Sequence, residues 1–345
     1  MTENADRPPA AAPRALPVRT VEVTGVVRLS PRMVRVTFGG PDLGDFALAG
    51  PDQQVKLYFP RAGQRVPRLP ASGAAGPEQD VMRWYGAFQA IPEAERPWAR
   101  SYTIRSHDPA LGTICVDFVL HGDDDDGDGG GTRDESGADA GFGAGLGAGL
   151  GAGEAGPATR WARSAAPGDV LGMFGPSAYF ATPLPLGTTD WLLLAGDETA
   201  LPAIGTIVEA LPAGARAVVF AEVVDAAEEQ RFATAGDVTV HWLHRGRAPS
   251  GPRGPLVRAV RDVVFPEGSA HAWLGGEAGA VRALRRHLVE ERGFGRRAVD
   301  FTGYWRRSLS QDDAPTEADL AEARERLADA GIAAEASAPP GRQGS

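Results

Sequence analysis

The chain has 345 residues, enough for two ordinary domains, with 43 % hydrophobic and 23 % charged residues, a globular balance. Its single cysteine, Cys115, excludes an internal disulfide, a CxxC redox pair and a four-thiolate iron–sulfur cluster, so any electrons it moves need an organic carrier. Of the formal charge of −10, residues 122–156 hold −8, and the nearly neutral remainder shows no basic run, which argues against a nucleic-acid partner.

Residues 1–16, rich in Pro and Ala, are expected to be disordered. They lack the apolar core of a signal peptide, and no apolar run is long enough to span a bilayer, so a cytoplasmic location without membrane insertion is expected. Residues 17–185 read as the first domain. VRTVEVTGVVRLS, RMVRVTFGG, QQVKLYFP, RSYTIRS and GTICVDFVLHG alternate apolar and polar residues between Gly, Pro and Asp, which predicts a small antiparallel barrel. Residues 61–97, with Pro and Gly early and Trp84, Tyr85 and Phe88 later, read as an irregular surface excursion.

Residues 122–156 (DDDDGDGGG, then GFGAGLGAGLGAG) form a low-complexity insert that cannot bury enough apolar area to offset its ordering entropy, and a flexible loop is expected. Calcium binding by DDDDGD is the weaker alternative, because the EF-hand spacing is incomplete. GPATRWA, from Gly156, marks a helix start whose free N–H groups suit a pyrophosphate or simply begin a helix after a loop.

In residues 186–308 the rhythm changes. DWLLLAG, RAVVFAEV, DVTVHWL, AHAWLGG and AVDFTGYW have strand length. TALPAIGTIVEALP, GPLVRAVRDVVF and EAGAVRALRRHLVEERG have helical periodicity. The expectation is a parallel sheet covered on both faces. Residues 309–345 read as an amphipathic helix with Thr316 as N-cap, then a tail. The fold class is thus α/β plus all-β: an antiparallel barrel followed by a parallel α/β domain.

This plan resembles the ferredoxin–NADP reductase type of flavoenzyme, and RSYTIR fits that family's R-x-Y-[ST] flavin motif. On a strand Arg100, Tyr102 and Ile104 share one face. Arg100 can fork onto a phosphate, Tyr102 can lie on a flavin ring, and Thr103 can approach the flavin N5 edge. The same pattern also suits an ordinary exposed strand.

The ordered set DQQVKLYFP, RSYTIR, VDFVLHG, GPATRWA, AGDETALPAI, WLGGEAGAVRALRRHL and GYWRR resembles the siderophore-interacting protein family, FAD-dependent ferric-siderophore reductases, from about Val18 to Arg307. The resemblance implies FAD contacts at Arg100, Tyr102, Thr103, Asp117, Val119, His121, Ala158, Thr159 and Trp161. Alternation would put Asp117, Val119 and His121 on one strand face. Glu198 and Thr199 are further candidate FAD contacts. Tyr304 and Trp305 would cover the flavin face, or equally close the core. Two departures stand out: the insert at residues 122–156, and Ser308 where the family has Gly. His241 and His244 do not suggest a metal site, since a spacing of three separates them across a strand.

The implied activity is reduction of Fe(III) in a siderophore by a monomer, with NADH, NADPH or reduced ferredoxin as donor. The alternatives are a general NAD(P)H–flavin or ferredoxin reductase and a non-catalytic siderophore-binding protein. LAGDETA, residues 194–200, stands where a pyridine-nucleotide domain has its Gly-rich turn. Asp197 and Glu198 there disfavour tight NAD(P)H binding while leaving weak use open. Lys56 is the only lysine beside 34 arginines. It falls on the polar side of its strand and is expected to bind an anionic chelate, with Arg245 and then Arg306 as further substrate-binding candidates.

Overall fold

The computed structural model describes residues 18–41, 43–44, 48–70, 77–121, 155–175 and 184–306, with backbone only for 77–82. The acidic insert (described only from residue 155), the C-terminal helix and Ser308 lie outside these residues.

Seven strands build the first half: β1 (Val18–Ser30), β2 (Met33–Gly39), β3 (Gln54–Phe59), β4 (Trp98–Thr103), β5 (Ser106–Asp108), β6 (Thr113–Val119) and β7 (Val170–Phe174). They pair antiparallel in the order β4-β3-β7-β1-β2-β6-β5. Alternation works as the pattern requires. Val34, Val36 and Phe38 of β2 and Val55, Leu57 and Phe59 of β3 turn inward onto Phe118, Leu171 and Met173. The sheet curls until the Arg105 N–H, just past β4, donates to the Cys115 carbonyl of β6 at 2.8 Å.

The stretch read as irregular contains a helix, α1 (Pro77–Gln89). Its Trp84 and Phe88, one turn apart, pack edge-on against Tyr58 with ring centroids at 5.6 and 5.2 Å. A Pro- and Gly-rich lead-in hides this amphipathic turn in the sequence. A second helix, α2 (Pro157–Ser164), closes the barrel, with Trp161 stacked on Phe38 at 6.1 Å and 13°.

The second half is a parallel sheet of β8 (Trp191–Asp197), β9 (Arg216–Val223), β10 (Asp237–His244), β11 (Ala270–Glu277) and β12 (Val299–Trp305), in the order β10-β9-β8-β11-β12. Helix α3 (Leu201–Glu209) covers one face together with Met33 of the barrel. Helices α4 (Pro255–Asp262) and α5 (Ala278–Arg286) cover the other. Both faces are therefore dry, as the continuous apolar runs of β8 and β11 require. The chain runs outward from β8 through β9 to β10, then returns to β11. The topological switch point lies between β8 and β11.

Polar contacts among the described residues clasp the halves. Arg105 forks onto Glu209 of α3 at 2.6 and 2.7 Å. Glu228, in the single 3-10 turn joining β9 to β10, accepts from Ser30 and, at 2.9 Å, from the Arg32 N–H. The Trp273 indole N–H donates to Asp52 at 3.0 Å.

Candidate functional site

The clasps bring the ends of β4 and β6 and the start of α2 against the carboxyl edge of the parallel sheet. On β4, Arg100 is half-buried and donates to the Ala99 carbonyl at 2.8 Å. Tyr102 is half-buried, its ring 4.5 Å from Phe118 and 6.3 Å from Phe59. Burial pushes its phenol pKa up, against a smaller opposing effect of Arg100. Thr103 is buried.

Helix α2 starts at Gly156, with Pro157 in its first turn and no side chain capping it. Ala158 and Thr159 are buried there, and the Thr159 hydroxyl donates to the Val119 carbonyl at 3.4 Å. Trp161 packs its indole among Phe38, Phe59 and Phe118. The uncapped start therefore leaves N–H donors beside the end of β6.

Alternation holds along β6, with Ile114, Val116 and Phe118 in the barrel core and Asp117 and Val119 on the other face, but the three expected contacts stand in different surroundings. Asp117 is buried and holds Arg35 through both oxygens at 2.6 and 2.8 Å, with the Arg105 Nε at 4.0 Å. Its side chain has no exposed surface and its charge is paired with Arg35, so Asp117 positions cations rather than presenting an open carboxylate. Val119 packs toward the α3 side of the sheet. His121 alone is exposed, its ring 6.2 Å from Trp305.

At the facing edge, Asp197 is a hub. Its Oδ1 accepts from the N–H and hydroxyl of Thr199, and its Oδ2 from the Glu277 N–H at 2.8 Å and the Trp305 indole at 2.9 Å. Burial first and Glu198 second raise its pKa to about 7, against the pull of the bonds from Thr199 and Trp305. Glu198 pairs with Arg245, and both are largely shielded from solvent. Trp305 is thereby fixed over the cleft, while Tyr304 packs edge-on to Trp273 at 6.4 Å.

Of the three cations expected to meet substrate, Lys56 is exposed and has no ion pair among the described residues. Arg245 shares its charge with Glu198 and donates to the Ala248 carbonyl at 3.0 Å. Arg306 is half-buried at the end of β12. Elsewhere, His241 stacks on Phe220 at 4.7 Å and His244 bonds Glu229 at 2.8 Å. Among the described residues no group of three or more His, Cys, Asp or Glu could hold a metal ion, and no helix is long and apolar enough to cross a membrane. A groove of about 780 Å³ on the barrel flank, lined by residues such as Thr20, Glu22 and Leu111, carries none of the expected site residues.

Sequence reasoning missed the roles of Asp52, Glu222 and Glu277. Glu277 had a signal, an acid at the end of a strand followed directly by a helix; Glu222, next to last in β9, is followed by a 3-10 turn and β10 and meets the start of α4 only in space.

Residues 22–180 match the family model described as siderophore-interacting FAD-binding domain, and residues 189–308 the one described as siderophore-interacting protein. An uncharacterized protein of Mycobacterium tuberculosis is 33 % identical over 306 residues, covering 86 % of this chain and 93 % of its own length. The ferric vibriobactin reductase ViuB of Vibrio cholerae is 28 % identical over 287 residues, 82 % of this chain and 88 % of ViuB. The crystal structure of a siderophore utilization protein from T. fusca superposes with a TM-score of 0.65 at 33 % identity, over 87 % of this chain and 97 % of that one.

Proposed function

The chain belongs to the siderophore-interacting protein family, and from that premise we propose that it is a cytoplasmic, FAD-dependent ferric-siderophore reductase. Its cofactor is FAD. The observation that carries the reading is the uncapped start of α2, set beside the end of β6 and facing the edge closed by Trp305. The residues fit the cofactor. The Ala158 and Thr159 N–H groups would take the pyrophosphate, Arg100 would fork onto a phosphate, and Tyr102 would lie against the ring system. His121 and Trp305 would bound the cleft. Asp117 would act at one remove, by holding Arg35 and Arg105 in place.

When bound, FAD supplies electrons that Fe(III) accepts one at a time. The chain's own residues do the rest. They hold the cofactor, exclude water from one side of it, and offer positive charge without lone pairs to the chelate. Fe(III) is a hard ion held tightly by siderophore oxygens, and Fe(II) is held less tightly, so reduction releases it. Lys56 is the foremost substrate contact, with Arg245 and Arg306 behind it. The ferric siderophore is the partner, met by a monomer.

Purified protein is expected to be yellow and to release FAD rather than FMN on denaturation. Its flavin, bleached anaerobically with dithionite, should recolour on mixing with a ferric chelate as Fe(II) appears. A colourless protein that binds chelate without turnover would make it a binding protein instead. Turnover indifferent to the chelate would make it a general reductase. Arg100→Ala should weaken FAD retention roughly tenfold or more, since a charge-assisted hydrogen bond is worth about 1.5–3 kcal/mol. Equilibrium dialysis of FAD against variant and parent measures it, and equal retention removes Arg100 from the site.

A further inference from the structure

Building on that reading of the chain as a flavin-dependent reductase, we infer that its α/β domain does not lodge the pyrophosphate of a nicotinamide dinucleotide, because three buried, hydrogen-bonded carboxylates, Asp197, Glu222 and Glu277, occupy the strand ends that would receive it. In open parallel sheets a dinucleotide enters at the carboxyl ends of the strands, at the switch point. Its phosphates are held by free N–H groups of the helix that follows the first strand.

Here the turn from β8 to α3 is closed on its own carboxylate, although α3 itself carries no side-chain cap. The Thr199 N–H goes to the Asp197 carboxylate at 2.9 Å, the Ala200 N–H goes to the Asp197 carbonyl at 2.9 Å, and Pro202 has none to offer. The crevice between β8 and β11 is occupied as well. Gly276 (φ +129°) lies so close that a Cβ there would stand 2.6 Å from Asp197 Oδ2.

The neighbouring strands repeat the device. Glu222, the ladder partner of Asp197, accepts from the Leu256 N–H in the first turn of α4 at 2.9 Å and from the Ser250 hydroxyl at 2.5 Å. Glu277 caps α5 through the Ala280 N–H at 2.8 Å. The three carboxylates are 2 %, 1 % and 6 % exposed, so a phosphate would have to displace buried, bonded groups rather than solvent. Glu198, which the sequence pairs with Asp197 as a repulsive charge, is neutralised by Arg245; the obstruction rests on the other three. The start of α2 differs in having, among the described residues, no carboxylate bonded in its first turn.

The test uses the full-chain flavoprotein with NADP⁺ in a calorimetric titration and NADPH in anaerobic flavin bleaching. No saturable binding is expected below about 1 mM, and bleaching should rise linearly with NADPH. A Kd below about 100 μM for the unmodified chain would overturn the inference. Glu222→Ala combined with Glu277→Ala frees two N–H groups and two charges' worth of repulsion, and should tighten NADP⁺ about tenfold. A folded double variant, checked by its flavin spectrum and melting, that binds no better would remove these residues as the determinant. If the variant does not fold, the titration of the unmodified chain decides alone. The parent reading fails separately, and without any nucleotide, if dithionite-reduced flavin does not pass electrons to a ferric chelate.

Discussion

Trp273→Ala is expected to cost about 3–5 kcal/mol of stability, a large fraction of what a domain has. Trp273 is 2 % exposed in the core beneath α3, with its six-membered ring packed over Gly275, 2.6 Å from where a Cβ there would stand. Its indole N–H also reaches Asp52, two residues before β3, in the other half of the molecule. The substitution therefore opens a cavity and strips a buried carboxylate of a donor at once.

Trp273→Phe separates the two effects. Most of the ring stays, the donor goes, and the expected cost is about 1–3 kcal/mol. Because the Gln53 carbonyl next to Asp52 takes the Ile104 N–H at 2.9 Å, loosening Asp52 should also disturb the β4 end and speed FAD loss. Urea denaturation and FAD dissociation rates would check both. A Phe variant as stable and as retentive as the parent would show that the clasp contributes nothing.

The barrel strands and the five parallel strands were legible because alternation and continuous apolar runs are local consequences of which faces are dry. β1, for instance, is bounded in the sequence as in the structure, Val18–Ser30. β7 carries no such signal. Its Gly172 lies where a Cβ would meet the Leu69 side chain at 2.2 Å and Tyr58 Cβ at 3.3 Å, a tertiary crowding invisible in VLGMF. The site was legible in part. The helix start at Gly156 follows from Gly-Pro chemistry, and the outward placement of Lys56 from strand parity. That Asp117 would be consumed by Arg35 follows from the β2–β6 register, which sets these two residues opposite each other, and register is not written in either strand alone. Likewise Trp161 reads as a ligand contact from its neighbours in sequence and as a core ring from its neighbours in space.

Lys56→Ala should raise KM for an anionic ferric chelate about three- to tenfold and leave kcat nearly unchanged, the signature of lost ground-state attraction at a partly screened site. Lys56 stands between Val55 and Leu57, which are 2 % and 0 % exposed, so parity alone points its ammonium outward. Its ladder neighbours are Ser101 and Phe174, neither of them acidic. An ammonium has no lone pair to compete for iron, yet it can donate to catecholate oxygens. Desolvation first, and the nearby charge of Arg100 second, depress its pKa. The charged form exists below that pKa, so the attraction is present at neutral pH and fades as pH rises through it, earlier than for an ordinary lysine. KM of the parent should therefore climb toward alkaline pH, that of Lys56→Ala should stay flat, and Lys56→Arg should hold its low value longer. A neutral ferric chelate should show none of these differences, and added salt should shrink them. Arg245→Ala makes the internal contrast. Because its charge is tied to Glu198, removing it should disturb flavin retention or stability before it selectively weakens anionic chelates. Equal KM for parent and Lys56→Ala on the anionic chelate would take Lys56 out of the substrate pocket and leave the flavin assignment untouched.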